Sequence, residues 1–346
     1  MIKWFETVGD HSDIVISSRI RLARNLVNYP FCGRLTPEQE KQLKAEVKNA
    51  LEKINLGDNS LQFMEVGQLS QNEGLSMVEN HIVSPDFLEN KNALLALSKD
   101  DSVSIMVNEE DHLRVQVLAS GLDLERALDI ANKMDDVLDE SLDYAFDDQL
   151  GFLTACPSNL GTGLRASVML HIPALEKAGA LNKMSGTISK LGLTLRGTYG
   201  EGSKALGSIY QLSNQITLGI SEEQAVKNLH EITLQIIEKE REARKALVKS
   251  EKFVDQIYRC YGILKYAKLI SSEEFFDLMS YVRIGISEKV LTSDIAEHVT
   301  MQKLYCHRLA ARQSLKMQKK ICLRRKGTAF VQKLYRKYCN MVTYQN

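Results

Sequence analysis

Strand-like and helix-like stretches alternate along roughly the first 220 residues, after which the pattern is almost wholly helical. Asp13-Ile14-Val15-Ile16-Ser17 predicts a strand, as do Leu61 to Val66, Ser102 to Asn108, His112 to Leu118, Val168 to Ile172 and Ser208 to Leu212. Thr36-Pro37-Glu38-Gln39 opens a helix with a cap, a proline at its first position and a capping-box partner. Asp123 to Leu138 has helical periodicity, with Leu124, Ala127, Leu128 and Ala131 on one face. Strands outnumber helices, and Val103 to Val107 and Arg114 to Leu118 flank a short connection. The prediction is therefore an α+β fold, an antiparallel sheet flanked by helices, rather than a doubly wound parallel sheet.

Ser221-Glu222-Glu223-Gln224 is a second capping box and starts a long helix running to about Lys249. Shorter helices follow at about 251 to 266 and 272 to 283, so an all-helical C-terminal domain is expected. The boundary is placed in Glu238-Lys239-Glu240-Arg241-Glu242-Ala243-Arg244-Lys245, read as helical and solvated, which gives domains 1–245 and 246–346.

The 346 residues are 44% hydrophobic and 25% charged, which fits a globular chain and not a disordered one. No apolar run approaches the ~18 residues of a membrane span, and Met1-Ile2-Lys3-Trp4-Phe5-Glu6 has no signal-peptide pattern, so a cytoplasmic protein is expected. Six cysteines (Cys32, Cys156, Cys260, Cys306, Cys322, Cys339) show no C-x-x-C spacing, which speaks against a disulfide framework or a zinc ribbon. The zero net charge hides an asymmetry: residues 1–297 hold all 44 acidic side chains against 32 Lys and Arg, and residues 298–346 hold 12 Lys and Arg and no acid. Such a basic tail ordinarily suggests nucleic acid or an acidic partner.

Four polar segments interrupt the packing pattern. Ser17-Ser18-Arg19-Ile20-Arg21-Leu22-Ala23-Arg24 puts Arg19 and Arg21 on one strand face, about 7 Å apart, a spacing that suits neighbouring phosphates and equally an ordinary solvated strand. Asn108-Glu109-Glu110-Asp111-His112-Leu113-Arg114 places three carboxylates at a strand end, by itself a solvated turn. In Cys156-Pro157-Ser158-Asn159-Leu160-Gly161-Thr162-Gly163-Leu164-Arg165-Ala166-Ser167, small residues and glycines let backbone N–H groups approach an anion and Arg165 adds a charge. Arg196-Gly197-Thr198-Tyr199-Gly200-Glu201-Gly202-Ser203 suits a lid loop. No P-loop motif occurs.

In order and spacing these segments resemble the phosphagen (guanidino) kinases, over about residues 13 to 220, and most of all the bacterial protein-arginine kinases. SSRIR begins at residue 17, leaving no room for the N-terminal helical domain of the small-molecule kinases, and a helical domain follows instead. The resemblance implies ATP and Mg²⁺ as cofactors, with Arg19, Arg21, Arg114, Arg165 and Arg196 on the phosphates and His81 beside the nucleotide. It extends nucleotide binding to Ser17, Ser18, Ile20, Ala166, Ser167, Val168, Met169, Gly197, Thr198, Tyr199 and Gly200. Glu110 matches the principal base, Glu201 the second carboxylate and Cys156 the reactive cysteine, a thiolate against the guanidinium; for Cys156 a merely buried thiol is the alternative.

Ser158 stands where small-molecule kinases usually have Thr, and Tyr199 where arginine is common. By resemblance the partners are substrate proteins with exposed arginine, a small zinc-containing activator (McsA), the repressor CtsR and the Clp chaperone-protease, with no membrane, no direct nucleic acid and a possible homo-oligomer. Marking proteins for Clp degradation and inactivating a stress-response repressor are the implied roles; a kinase of free arginine or another small guanidine is the alternative, and a non-catalytic regulatory protein is the reading intact Glu110, Glu201 and Cys156 oppose. The family's R-D-x-x-R-A phosphoarginine motif is missing; Lys326-Gly327-Thr328-Ala329-Phe330-Val331 stands at that distance. Codons for this stretch shifted by one nucleotide permit E-R-D-x-x-R-A, so a frameshift near residues 300 to 303 is expected, with a divergent basic tail as the alternative. Cys306, His307, Cys322 and Cys339 lack the paired spacing of a zinc site.

Overall fold

The computed structural model describes residues 2–197, 205–293 and 342–344. The strands are β1 (Val15–Arg24), β2 (Leu61–Glu65), β3 (Leu94–Ser98), β4 (Val103–Val107), β5 (Leu113–Ser120), β6 (Phe146–Asp147), β7 (Gly151–Phe152), β8 (Leu164–His171), β9 (Leu193–Gly197), β10 (Ile209–Asn214), β11 (Leu291–Ser293) and β12 (Val342–Tyr344). The α-helices are α1 (Pro37–Leu51), α2 (Gln71–Glu79), α3 (Leu124–Asp139), α4 (Pro173–Lys177), α5 (Leu181–Lys190), α6 (Glu222–Leu247), α7 (Glu251–Tyr266) and α8 (Ser272–Ser287). Eight strands hydrogen-bond in the order β2-β3-β4-β5-β1-β8-β10-β9, and the ladders from β2 through β5 to β1 are antiparallel. The α+β expectation holds. Among the described residues no helix is long and apolar enough to cross a membrane.

Local chemistry accounts for the boundaries. At the start of α1, Thr36 Oγ1 accepts from the Gln39 N–H at 3.3 Å and Gln39 Oε1 accepts from the Thr36 N–H at 2.9 Å, the reciprocal box read from the sequence. Ser221 Oγ accepts from the Gln224 N–H at 3.2 Å at the start of α6. Strand β3 has no counterpart in the sequence reading. Its residues Leu94, Leu95, Ala96 and Leu97 are all buried, so the alternation that marks a half-exposed strand is missing.

The chain divides into two compact units, each assembled from separated segments. The first takes residues 1–7, 17–167 and 213–230. It includes an apolar cluster of Val66, Ile82, Val83, Phe87, Leu95, Leu97 and Met106, and α3 packs on β5 through Leu124, Ala127, Leu128 and Ala131. The second takes residues 8–16, 168–212 and 231–346. Here α7 and α8 close over Ile16 and Ile209, with Phe253, Ile257, Tyr261, Phe275, Phe276 and Met279 between them. Gly207 sits at φ +59°, and a Cβ there would lie 2.8 Å from the carbonyl oxygen of Phe276, so only glycine lets this turn meet α8.

One expectation is corrected. The stretch from Glu238 to Lys245 is helical but solvated on one face only: Glu238, Lys239, Glu242 and Lys245 are exposed, whereas Glu240 and Arg244 are both fully buried. Glu240 accepts from Arg244 Nε at 2.7 Å and from the N–H groups of Ala174 and Leu175 at 3.1 and 2.9 Å, capping the proline-led start of α4. Arg241, four residues from Lys245, pairs with Asp13 at 2.7 Å. Apart from β12, the basic tail lies outside the described residues, and so do the frameshift expectation and the excluded zinc set.

Candidate active site

The site grows from one face of the first unit's sheet. Along β1 the side chains alternate, so Ile20 and Leu22 are buried on one face while Arg19 and Arg21 share the other. The register pairs Arg21 with Gln116 and Ala23 with Arg114, which places Arg114 diagonally next to Arg21 on that same face. From β8, Ser167 Oγ accepts from Arg19 Nε at 3.2 Å, and Arg165, two residues earlier, projects on the same side. Four guanidinium groups thus converge: Arg19, Arg21, Arg114 and Arg165.

Their electrostatics identify what is needed between them. Burial, then the neighbouring Arg114 and Arg165, pull the Arg19 pKa down to about 10. Burial and the same crowd of cations pull Arg21 well below its ordinary value, with Glu109 opposing. Guanidinium holds its proton strongly, so these shifts express the cost of packing like charges away from water. Arg21 Nε is buried and, among the described residues, has no hydrogen-bond partner. A polyanion with several acceptor oxygens would relieve both deficits. His81 belongs to the same region: burial first and Arg19 second hold its imidazole down to about 4. Gln116 fixes this segment by donating to the carbonyl oxygens of His81 and Ile82 at 2.9 and 3.2 Å.

The three consecutive carboxylates diverge. Asn108 takes a left-handed φ of 63° and turns the chain tightly. Glu109 points inward, accepts from Ser84 Oγ at 2.5 Å and pairs closely with Arg114. Glu110 is about half exposed, its side chain at 46%, and lies 3.9 Å from Arg114. Burial pushes its carboxyl above the ordinary range; Asp111 and Glu109 add to this, and Arg114 and Arg21 oppose it. Asp111 is buried and accepts from the Asn25 side-chain amide at 2.6 Å and from the Ala155 N–H at 2.7 Å. The solvated turn suggested by the sequence is therefore open only at Glu110.

The loop after β7 brings Cys156 to this region. Its Sγ lies 3.1 Å from Ser158 Oγ, which accepts from Arg165 at 3.2 Å, so the hydroxyl kept at position 158 links thiol and clamp. Arg165 also donates to Asn159 Oδ1 and to the carbonyl oxygen of Asn214, both at 3.2 Å. The glycines here do something other than expected from their spacing. A Cβ at Gly161 would lie 2.2 Å from the carbonyl oxygen of Thr217, and one at Gly163 would lie 2.5 Å from that of Ala23. They admit the protein's own backbone, which seats the loop.

Ser17 is buried, and Ser18 Oγ donates to the carbonyl oxygen of Gly121 at 2.8 Å and accepts from the Asp123 N–H, bracing the start of α3. Ala166 is buried and its N–H donates to Asn214 Oδ1 at 2.8 Å. Val168, Met169, Arg196 and Gly197 belong to the second unit, where Val168 is fully buried and Met169 packs against the apolar cluster. Thr198, Tyr199, Gly200 and Glu201 lie outside the described residues. The sequence reading did not single out Asn25, Ser84, Glu109, Asp111, Gln116 or Asn214; a polar residue amid a strand pattern is the signal Asn25 and Gln116 offered. Among the described residues no three His, Cys, Asp or Glu side chains come together as metal ligands.

Comparison with known proteins gives this geometry a family. The profile of the ATP:guanido phosphotransferase C-terminal catalytic domain matches residues 42–243, and that of the protein-arginine kinase McsB C-terminal domain matches residues 250–323. The chain is 46% identical to the protein-arginine kinase of Desulforamulus reducens over 295 residues, 84% of this chain and 83% of that one. It is 44% identical to the protein-arginine kinase of Clostridium kluyveri over 308 residues, 88% of this chain and 89% of the other. The structure of the duplicated taurocyamine kinase from Schistosoma mansoni with bound transition-state analog components superposes with a TM-score of 0.62 at 28% identity, covering 74% of this chain and 39% of that one. The chain belongs to the ATP:guanido phosphotransferase family and, within it, to the protein-arginine kinases.

Proposed function

We propose that the protein transfers the γ-phosphoryl group of ATP to the guanidinium of arginine side chains in proteins. The observation that carries this reading is the convergence of Arg19, Arg21, Arg114 and Arg165 on one sheet face, with the buried Arg21 Nε lacking a partner among the described residues, beside a half-exposed Glu110. Phosphoryl transfer asks a protein chiefly for positioning and charge stabilisation. The arginines hold the phosphates and stabilise the charge that spreads over the transferring group. Mg²⁺ bound with ATP would add to the charge neutralisation that Arg19, Arg21, Arg114 and Arg165 give the phosphates.

On the other side, Glu110 aligns the acceptor nitrogen and takes its proton as the N–P bond forms and the P–O bond to ADP breaks. A guanidinium is a poor nucleophile while fully protonated, so the raised Glu110 pKa suits a proton acceptor. By family likeness Cys156 lies against the guanidinium, and Arg196 and Glu201 complete the clamp and the carboxylate pair. The same likeness supports a role in marking proteins for the Clp chaperone-protease and in inactivating the stress-response repressor CtsR, with McsA as activator, in the cytoplasm.

The test is incubation with ATP and Mg²⁺ and, separately, an arginine-rich protein, a lysine-only peptide and free arginine. Acid-labile phosphate on the protein's arginines, none on lysine, and slower transfer to free arginine at equal arginine concentration are expected. Faster transfer to free arginine would replace the reading with a small-guanidine kinase.

A further inference from the structure

We propose that Asn25 is a positioning residue of this site: its amide joins the turn that carries Glu110 to the loop that carries Cys156, and so sets the gap in which the acceptor guanidinium lies. The inference rests on the phosphoryl-transfer reading for the roles of Glu110 and Cys156, and on geometry alone for the tether.

Asn25 follows β1 directly and its side chain is buried. All three of its hydrogen bonds are committed across the two segments. Nδ2 donates to Asp111 Oδ1 at 2.6 Å and to the carbonyl oxygen of Leu153 at 2.9 Å, while Oδ1 accepts from the His112 N–H at 2.9 Å. Asp111 Oδ1 in turn accepts from the Ala155 N–H at 2.7 Å. One amide therefore bonds the residues immediately after Glu110 and the residues immediately before Cys156. The backbone around it is held as well: the Asn25 carbonyl accepts from the Ala145 N–H at 2.7 Å, and the Leu26 N–H donates to His112 Nδ1 at 2.9 Å.

The pattern of donors excludes a mere space-filler. Asn25 must donate toward Asp111 and Leu153 and accept from His112, and only an amide in one orientation does both. A carboxylate of the same shape would still accept from His112 but would face the Asp111 carboxylate and a carbonyl oxygen. Each unmet buried group would push turn and loop apart. A displacement of the reacting groups by about 1 Å can cost on the order of 10²-fold in rate.

The experiment compares the parent chain with Asn25→Asp, Asp111→Asn and the double variant. Expected for Asn25→Asp is a kcat lowered on the order of 10²-fold and a raised KM for the arginine acceptor, with ATP affinity kept within about twofold because the arginine clamp is bonded elsewhere. The double variant puts a donor at 111 before an acceptor at 25 but sets that donor against the Ala155 N–H and leaves the Leu153 carbonyl oxygen facing a carboxylate, so it should recover at most part of the loss. Alkylation of Cys156 by iodoacetamide, read on its own proteolytic peptide because the chain has six cysteines, should change rate in Asn25→Asp. This last readout needs no kinase activity, so it decides the tether even if the substrate reading fails. Parent-like kcat and alkylation in Asn25→Asp, or equal loss of ATP affinity and acceptor use, would each overturn the proposal. Should Asn25→Asp not fold, Asn25→Ser takes its place with the same criteria.

Discussion

Replacing Arg244 with methionine tests whether the charged run in α6 has the interior face that Glu240 and Arg244 form in the structure. Arg244 is fully buried and spends all its donors: Nε on Glu240 at 2.7 Å, one terminal nitrogen on the His171 carbonyl oxygen and Nδ1 at 2.8 and 3.0 Å, the other on the Asp13 carbonyl oxygen and Ser287 Oγ at 3.0 and 3.2 Å. Methionine fills similar volume, so the effect isolates charge and hydrogen bonding. It leaves Glu240 buried with only two backbone N–H donors, and burial already pushes that carboxyl above its ordinary range while Arg244 pulls it down. Breaking a buried pair on one side costs about 3–5 kcal/mol. At about 2–4 °C per kcal/mol for a domain of this size class, the unfolding midpoint should fall on the order of 10 °C. Thermal unfolding followed by circular dichroism measures the midpoint, and urea unfolding the free energy. Glu240→Gln, which keeps an acceptor oxygen and removes the charge, should lose less. A loss under ~1 kcal/mol for Arg244→Met, the range of exposed ion pairs, would refute the buried assignment and restore a solvated helix.

Three further outcomes are expected. Glu110→Gln should lower turnover by about 10²–10⁴-fold with ATP affinity unchanged, and the parent rate should fall with acid at a pH above the ordinary carboxylate range, because the base must be ionised and burial raises its pKa; Asp111→Asn should move that limb to lower pH, and an upward or absent shift would contradict the assignment. Arg165→Ala should weaken nucleotide binding and rate together, since a phosphate clamp acts in ground and transition states, and unchanged ATP titrations would remove it from the site. Stability should decline as pH drops below 6.5, because His81, His112 and His171 are all held below their ordinary pKa chiefly by burial: the unfolded chain takes up protons there first, about 1.4 kcal/mol per pH unit for each histidine, and stability equal at pH 7.5 and 5.5 would oppose this.

What the sequence made legible follows from what each signal measures. The capping box at Thr36 and the Ser221 Oγ cap at the start of α6 are local chemistry and appear where read. Helices α7 and α8 have clear apolar faces and begin where periodicity puts them. Strand β3 is buried on both faces and leaves no alternation to read. The run from Glu238 to Lys245 looked solvated because charge is ordinarily a surface signal, and nothing local shows that Glu240 caps α4 from far along the chain. The arginine clamp was legible in part, since Arg19 and Arg21 share a strand face by spacing alone, but Arg114 and Arg165 join them only through register and strand order. Asn25 went unread and Asp111 was read only as part of a solvated turn for the same reason: their meaning lies in a contact spanning 86 residues.

The divergence of Glu109, Glu110 and Asp111 resolves a conflict built into the chemistry. The site must draw in a polyanion and a cation and hold their reacting atoms a bond-forming distance apart. Without nucleotide, an acceptor guanidinium next to Glu110 would also feel Arg114, 3.9 Å from the carboxylate, and the crowded charges of Arg19 and Arg21 behind it. Glu109 is spent on Arg114, and Asp111, a single buried charge, does not cancel that repulsion alone. Bound ATP would. Nucleotide therefore favours acceptor binding through charge alone, and by linkage the acceptor favours nucleotide by the same factor. Measured separately, the dissociation constant of an arginine peptide should be several-fold lower with a non-hydrolysable ATP analogue bound, and raised salt should shrink that difference by screening. Equal peptide affinity with and without nucleotide would mean that the clamp and the acceptor site do not sense each other's charge.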